Sequence, residues 1–163
     1  MKFLLTAINA KFIHSNPAIY SLRAGAGEKL QPYVELAEFT INESLESILE
    51  GIWKRQPKVI GFSCYIWNWK LIREILTELP KILPDTEIWL GGPEVTYDGP
   101  GLLSEFPQVT GIMVGEGEVT FREVPDHYVR EAESTGRSGQ QPEPDSIEQQ
   151  AADRTGTLAG KSV

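Results

Sequence analysis

The chain has 163 residues, 40% of them hydrophobic, and a formal net charge of −8. A chain of this size can form one domain with its own core, without metals or disulfides. Its acidity argues against binding to nucleic-acid phosphates or an anionic membrane, because both depend on Lys and Arg. The single cysteine, Cys64, excludes a disulfide framework and an iron–sulfur cluster built by this chain alone. It also predicts a reducing, cytoplasmic compartment.

The predicted elements alternate between strand and helix from the amino terminus. A buried strand is predicted over residues 3–10, since this apolar run is too short for a signal peptide and Lys11 follows at once. Asn16 and Pro17 then begin a helix, as N-cap and first helical residue. Alternating apolar and polar residues predict a half-exposed strand over 34–41.

The remaining elements continue this alternation. Helical spacing over 44–56 is followed by the almost wholly apolar stretch 58–66, typical of a central strand covered on both faces. A third helix begins at Asn68, and Pro80 is expected to bend it or end it early. Four short elements complete the pattern: a strand over 87–90, a helical piece over 101–106, a strand over 111–114 and a last helix over 118–125.

This alternation predicts an α/β fold, a doubly wound five-stranded parallel sheet of the Rossmann-like or flavodoxin-like type, over residues 1–129. From Arg130 to Val163 there is no aromatic residue and no apolar period. Residues 130–163 are therefore predicted to be a disordered, low-complexity tail, because they cannot bury enough apolar surface to offset the entropy of ordering. The abrupt change fits either a native tail or a truncated or frame-shifted end.

Ligands of open parallel sheets bind outside the carboxyl ends of the strands. Four unusual sequences follow predicted strands here: NAKFIHSNP, SCYIWNW, GGPEVTYDG and GEGEVTF. A dinucleotide site needs a glycine-rich turn after the first strand, and none lies between Asn9 and Pro17. GEGEVT has Thr120 in place of the third glycine, and no P-loop is present. Glycines in two of these loops and polar residues in the others suit a large, flat ligand lying across the rim of the sheet.

Five segments match a known family: AINAKFIHSNPAIYSLRA, VELAEFTIN, VIGFSCYIWNW, IWLGGPEVTYD and GIMVGEGEVTFRE. Over residues 1–124 the chain resembles the amino-terminal cobalamin-binding domain of cobalamin-dependent radical S-adenosylmethionine (SAM) proteins. The resemblance implies cobalamin, a corrinoid, as cofactor and a radical SAM catalytic domain as partner in a complete parent. Alone, the domain is expected to bind the cofactor weakly or not at all, because that partner would cover the upper corrin face.

The resemblance also implies which residues meet the cofactor. Ser63 and the pair Gly91–Gly92 take the positions that line the cleft for its nucleotide tail, and Gly115 and Gly117 face the same cleft. The loop over residues 9–16 lies over or beside the corrin ring. The expected cofactor-binding residues are Asn9, Ala10, Lys11, Ser63, Tyr65, Trp67, Gly91, Gly92, Glu94, Gly115, Glu116 and Gly117.

Two departures from the relatives' motifs bear on metal chemistry. Cobalamin proteins with a His ligand to cobalt carry D-x-H-x-x-G after the first strand, whereas Phe12 and Pro17 replace the Asp and Gly around His14 here. Without the Asp that would orient the imidazole, His14 is not expected to bind cobalt, and the lower ligand of the metal stays open. The radical relatives hold an iron–sulfur cluster with C-x-x-x-C-x-x-C, which this chain lacks. The chain is therefore expected to hold a cofactor and to contain no catalytic residues.

Plainer interpretations stay open for several of these residues. Cys64 fits a small buried hydrophobe, and Gly91–Gly92 can simply form a tight turn. Trp67 and Trp69 can cap the edge of the core instead of walling a corrin.

Two other functions stay open as well. A response-regulator-like interaction module would need an acidic cluster after the first strand and a phosphorylatable Asp after the third, and neither is present. A small α/β enzyme could use the rim carboxylates Glu94 or Glu116, although no His or nucleophile is clearly paired with them.

Overall fold

Five parallel strands form the centre of the molecule, in the spatial order β2-β1-β3-β4-β5. The computed structural model describes residues 2–11, 16–115, 117, 121–125, 128 and 130, and the backbone of 158–160. The predicted doubly wound parallel sheet is confirmed. Its strands are β1 (Phe3–Asn9), β2 (Val34–Thr40), β3 (Val59–Ser63), β4 (Glu87–Gly91) and β5 (Val109–Met113). The α-helices are α1 (Pro17–Gly25), α2 (Leu45–Trp53), α3 (Trp69–Ile82) and α4 (Gly99–Glu105), and Gln31–Tyr33 form a 3-10 turn before β2.

A sixth strand, β6 (Leu158–Gly160), pairs antiparallel with β5. It lies inside the segment for which disorder is predicted, and the rest of that segment from residue 131 onward is outside the described residues. Among the described residues, no helix is long and apolar enough to cross a lipid bilayer.

Side chains at the helix starts explain where two helices begin. The Asn16 side chain accepts a hydrogen bond from the backbone N–H of Ala18 at 3.0 Å, so the predicted N-cap is confirmed. Ser44 caps α2 in the same way, by accepting from the N–H of Ser47 at 3.2 Å.

Of the two outcomes predicted for Pro80, a bend or an early end, the early end is wrong, because α3 continues to Ile82. A proline leaves the carbonyl four residues earlier without its helical donor. Here that carbonyl belongs to Leu76, and the Gln108 side chain donates to it at 2.7 Å. The hydrogen bond lost at Pro80 is thus replaced from the segment before β5.

Two apolar cores cover the two faces of the sheet. The larger core packs α2, α3 and α4 against one face, through residues such as Ile48, Ile75 and Leu102. The smaller core lies on the other face and contains Ile19 of α1 and Phe121 of a helical segment at 121–125. The last helix was predicted over 118–125, of which residues 118–120 lie outside the described residues.

Glycines flank Trp89 on the face of the smaller core. In the strand register Trp89 lies opposite Gly61 of β3 and opposite Gly111 of β5. A Cβ atom on Gly111 would lie 2.5 Å from Cζ3 of Trp89, so the indole lies directly over that glycine. Two residues further towards the carboxyl ends, the next row on this same face consists of Ser63, Gly91 and Met113.

Candidate functional site

A cleft of about 410 Å³ opens on the face of the smaller core, at the carboxyl edge of β3, β4 and β5. Its floor includes Leu5, Gly61 and Met113, and one wall is the α1 surface at 18–22. The segment 92–97 after β4 forms the opposite side. The full lining comprises Leu5, Ala18, Ile19, Leu22, Gly61, Phe62, Ser63, Tyr65, Gly91, Gly92, Pro93, Thr96, Tyr97, Met113, Gly115 and Gly117.

The Ser63 hydroxyl is held at the cleft by Asn16. The Asn16 side-chain nitrogen donates to Ser63 Oγ at 3.2 Å, while its oxygen accepts from Ala18 as the α1 cap. Asn16 is only 7% exposed. One side chain therefore links the start of α1 to the end of β3.

Glu38, near the end of the edge strand β2, fixes the chain on both sides of the loop after β1. Its carboxylate accepts from the Asn9 side chain at 2.7 Å, from the backbone N–H of Asn16 at 3.1 Å and from the Tyr20 hydroxyl at 2.5 Å. Burial alone would raise the pKa of Glu38, but the hydrogen bonds from Tyr20, Asn9 and Asn16 outweigh it. The net effect is a lowered pKa, so Glu38 accepts these bonds as a carboxylate at neutral pH.

Asn68 joins the ends of two strands from a fully buried position. Its side-chain nitrogen donates to the carbonyls of Ile8 and Ser63 at 3.0 and 2.9 Å, and its oxygen accepts from the N–H of Tyr65 at 2.9 Å. Asn68 was predicted to begin α3, and it does precede the helix, but its side chain does not cap it. The amide instead shapes the SCYIWNW loop.

The two adjacent glycines after β4 have different surroundings. Gly92 has a φ of +108°, and a Cβ there would lie 2.5 Å from the Cys64 carbonyl oxygen. A Cβ on Gly91 would make only ordinary contacts, 3.7 Å from Met113. Gly91 lies between Ser63 and Met113 in the register, so a side chain there would project into the cleft. The tight-turn interpretation therefore applies to Gly92, while Gly91 keeps the floor open.

Two aromatic residues stack at the rim of the cleft. The Tyr65 and Trp67 rings are 4.4 Å apart at their centroids and tilted by 8°. Tyr65 lines the cleft and Trp67 is 47% exposed. Trp69 points elsewhere, packing edge-on against Phe106 of the α4 end at 6.3 Å.

Comparison with known proteins identifies the family. The family model described as "B12 binding domain" matches residues 4–125. The chain belongs to this family. The match confirms that the predicted resemblance to cobalamin-binding domains is correct.

Relatives of this B12-binding domain are much longer proteins. It is 36% identical over 70 residues to the cobalamin-dependent radical SAM methyltransferase TokK of Streptomyces tokunonensis, covering 42% of this chain and 10% of that protein. It is 31% identical over 103 residues to the 2-(S-pantetheinyl)-carbapenam-3-carboxylate methyltransferase of Streptantibioticus cattleyicolor. That match covers 63% of this chain and 14% of the methyltransferase. The chain thus spans about a tenth to a seventh of the curated relatives it matches.

A solved structure shares the fold. The cobalamin-dependent SAM radical enzyme OxsB, determined with aqua-cobalamin and SAM bound, superposes with a TM-score of 0.63 at 18% identity. The match covers 78% of the B12-binding domain and 19% of OxsB. At this identity the likeness concerns the fold.

The B12-binding domain brings six of the twelve predicted cofactor residues to the cleft: Ser63, Tyr65, Gly91, Gly92, Gly115 and Gly117. Trp67 lies beside Tyr65 at the rim. Asn9 turns its side-chain nitrogen to Glu38, and Ala10, Lys11 and Glu94 are exposed outside the lining. Glu116 and His14 lie outside the described residues.

Several cleft residues were not predicted from the sequence. Ile19 and Leu22 of α1 pack with the smaller core, and they also form a wall of the cleft. Thr96 and Tyr97 follow the glycine pair at no recognisable spacing, and Tyr97 is 93% exposed. Glu38 gave no signal, since a Glu in an alternating edge strand is read as a solvated side chain.

Cys64 is fully buried, as expected of a small hydrophobe. Burial raises the pKa of its thiol, which excludes a thiolate at neutral pH. Its Sγ lies 3.6 Å from the Phe62 carbonyl oxygen. Cys64 therefore belongs to the core and offers no nucleophile to the cleft.

Proposed function

We propose that the cleft binds cobalamin, with the nucleotide tail lying between α1 and the segment after β4. The observation that carries this proposal is the row Ser63–Gly91–Met113, which offers a hydroxyl, a gap and an apolar side chain side by side on the cleft floor. A tail built from a ribose, a phosphate and an aromatic base needs both apolar surface and a few fixed polar groups. The residues present fit the group.

Each part of the lining has a separate task in this proposal. Gly91 and Gly61 keep side chains out of the floor, so that a flat ring can lie against the sheet. Ile19, Leu22 and Met113 exclude water from it. Tyr65, supported by Trp67, supplies an aromatic surface where the cleft opens.

We also propose that the chain is the cofactor-holding part of a radical SAM methyltransferase-like protein. Both curated relatives described above are methyltransferases, which supports that setting. Cobalamin, when bound, supplies a cobalt centre that can carry a methyl group, and the protein supplies binding and orientation. With one cysteine the chain cannot provide three thiolates, so a radical SAM catalytic domain is proposed as its partner.

The compartment we propose is the cytoplasm. The supporting observation is that the only cysteine is a buried, unpaired thiol.

Titration of the full chain with hydroxocobalamin, followed by its visible spectrum and by equilibrium dialysis, tests the proposal. Cobinamide, a corrinoid without the nucleotide tail, should bind about tenfold or more weakly, which corresponds to a loss of about 1.4 kcal/mol. The Gly91→Val variant should weaken hydroxocobalamin binding similarly, because its methyl groups would fill the gap beside Ser63. Thr77→Val is the control, because it introduces a valine at an exposed position of α3 that does not line the cleft.

Two results would overturn the proposal. One is an unchanged spectrum and no retention of hydroxocobalamin at high micromolar concentration, together with no corrinoid co-purifying with a longer protein that joins this domain to a radical SAM domain. The other is a Gly91→Val protein that is folded and binds hydroxocobalamin as tightly as the wild type, which would place the ligand elsewhere.

A further inference from the structure

Asn16 controls the direction in which the Ser63 hydroxyl can form hydrogen bonds. A side-chain amide has an oxygen that only accepts and a nitrogen that only donates. The oxygen is committed to the N–H of Ala18 at the start of α1. The nitrogen must therefore face the other way, towards Ser63, where it donates to Oγ at 3.2 Å.

The hydroxyl of Ser63 is thus used as an acceptor by the protein. A serine hydroxyl carries one hydrogen and two lone pairs, and Asn16 occupies one lone pair. No hydrogen bond among the described residues uses the hydroxyl as a donor. Its hydrogen remains available on the side of the cleft that Ser63 lines.

Glu38 keeps Asn16 in this arrangement. Its carboxylate accepts from the backbone N–H of Asn16 at 3.1 Å and from the side chain of Asn9 at 2.7 Å. Asn16 is buried and is held at its backbone, its oxygen and its nitrogen. The amide cannot rotate without breaking the α1 cap.

We infer that Asn16 is a positioning residue that commits the Ser63 hydroxyl to donating into the cleft, so that the ligand atom placed there is a hydrogen-bond acceptor. An aromatic ring nitrogen or an ether, carbonyl or phosphate oxygen pairs with this hydrogen, whereas an N–H group could use only the second lone pair and would leave the hydroxyl hydrogen without a partner. The inference rests on the proposed function for the identity of the ligand.

The variant Asn16→Asp separates positioning from structure. Aspartate caps a helix as well as asparagine, so α1 keeps its cap. Its second oxygen, however, accepts from the Ser63 hydroxyl instead of donating to it, and the hydrogen is withdrawn from the cleft. Hydroxocobalamin should bind about three- to tenfold more weakly, the loss of one hydrogen bond, while the urea midpoint changes little.

Three companion variants complete the experiment. Ser63→Ala should weaken binding to a similar extent, and Asn16→Asp should add nothing in the Ser63→Ala background, because Asn16 acts through Ser63. Asn16→Ser keeps a cap and removes the amide that donates to Ser63, but it places no carboxylate acceptor there. Its effect on binding should therefore be smaller than that of Asn16→Asp. Ser44→Asp, which likewise introduces an aspartate as the cap of α2 but does so away from the cleft lining, should bind like the wild type.

A measurement without ligand tests the hydrogen bonds themselves. In nitrogen-15 NMR spectra, Ser63→Ala should shift the Asn16 side-chain NH₂ resonances and leave the Ala18 amide nearly unchanged. The reverse pattern would overturn the inference.

The outcomes distinguish this inference from the proposed function. If the wild type does not bind hydroxocobalamin and no corrinoid co-purifies with a longer protein that includes the radical SAM domain, the proposed function fails, and the NMR measurement still tests the Asn16–Ser63 hydrogen bond. If the wild type binds and Asn16→Asp binds equally well, or if the two substitutions weaken binding additively, the positioning role fails and the proposed function stands.

Discussion

The backbone of Gly92 runs against that of Cys64, so closely that a Cβ atom at position 92 would lie 2.5 Å from the Cys64 carbonyl oxygen. The two segments are also hydrogen-bonded: Cys64 N–H donates to the Gly91 carbonyl at 2.7 Å, and Glu94 N–H donates to the Cys64 carbonyl at 3.4 Å. The loops after β3 and β4 thus form one unit at the edge of the cleft.

Substituting the two adjacent glycines is expected to change the free energy of unfolding of the protein by different amounts. Gly92→Ala should lower the free energy of unfolding by about 2 kcal/mol or more, because it combines a positive φ with a clash against backbone. Gly91→Ala should change it by less than about 1 kcal/mol, since its Cβ has room. Urea denaturation of both variants measures the difference, and equal costs would contradict it.

Asn68 is expected to be a major stabilising side chain of the loop after β3. Asn68→Ala leaves one buried carbonyl, one partly buried carbonyl and one partly buried N–H without this partner, which should lower the free energy of unfolding by about 3 kcal/mol or more. Ser44→Ala, which removes an exposed N-cap, serves as the comparison and should cost about 1 kcal/mol. Urea denaturation giving the same loss for both variants would show that the Asn68 hydrogen bonds contribute little.

Stability should depend on pH through Glu38. Because the folded-state pKa of Glu38 is lowered, its contribution is complete above its ordinary pKa and is lost as the pH falls through the lowered folded-state value. Glu38→Gln removes this contribution. The stability difference between the wild type and Glu38→Gln should therefore be largest near neutral pH and shrink in acid.

Urea denaturation of both proteins between neutral and acidic pH checks this dependence. Glu35 and Glu50, whose pKa values are also lowered, are present in both proteins and cancel in the difference. A difference that stays constant with pH would mean that the hydrogen bonds of Glu38 do not need its charge.

Cys64 is expected to be unreactive in the folded protein. Its side chain is buried, and burial raises its pKa, so neither access nor thiolate is available to a reagent. A colorimetric thiol reagent should label the native protein only as fast as it unfolds, and should label one thiol at once in denaturant. Rapid labelling of the native protein would place Cys64 at the surface.

The fold could be predicted from the sequence because each element carries a local signal. Alternation of apolar runs with helical spacing gave the parallel sheet, and Asn16 with Pro17 marked the start of α1. The effect of Pro80 was not predictable locally. The side chain that replaces the lost hydrogen bond, Gln108, lies far along the chain, and no residue near the proline indicates it.

The site was predictable only where its loops have distinctive residues. Ser63 and Gly91 stood out as matches to the family, whereas the roles of Asn68 and Glu38 depend on contacts across the sheet. Local sequence alone would suggest a helix cap at Asn68 and a solvated side chain at Glu38, and neither is what the structure shows. The three-dimensional arrangement of β1, β2 and β3 gives these side chains other partners.

The stack of Trp67 on Tyr65 has an optical consequence. Trp67 is half-exposed at the mouth of the cleft. Trp69 packs against Phe106, Trp89 is partly buried against the smaller core, and Trp53 is half-exposed on α2. A coloured ligand in the cleft would quench the emission of Trp67 by energy transfer over a few ångströms. The protein therefore carries a fluorescent reporter next to its own binding cleft, and occupancy can be read without any label.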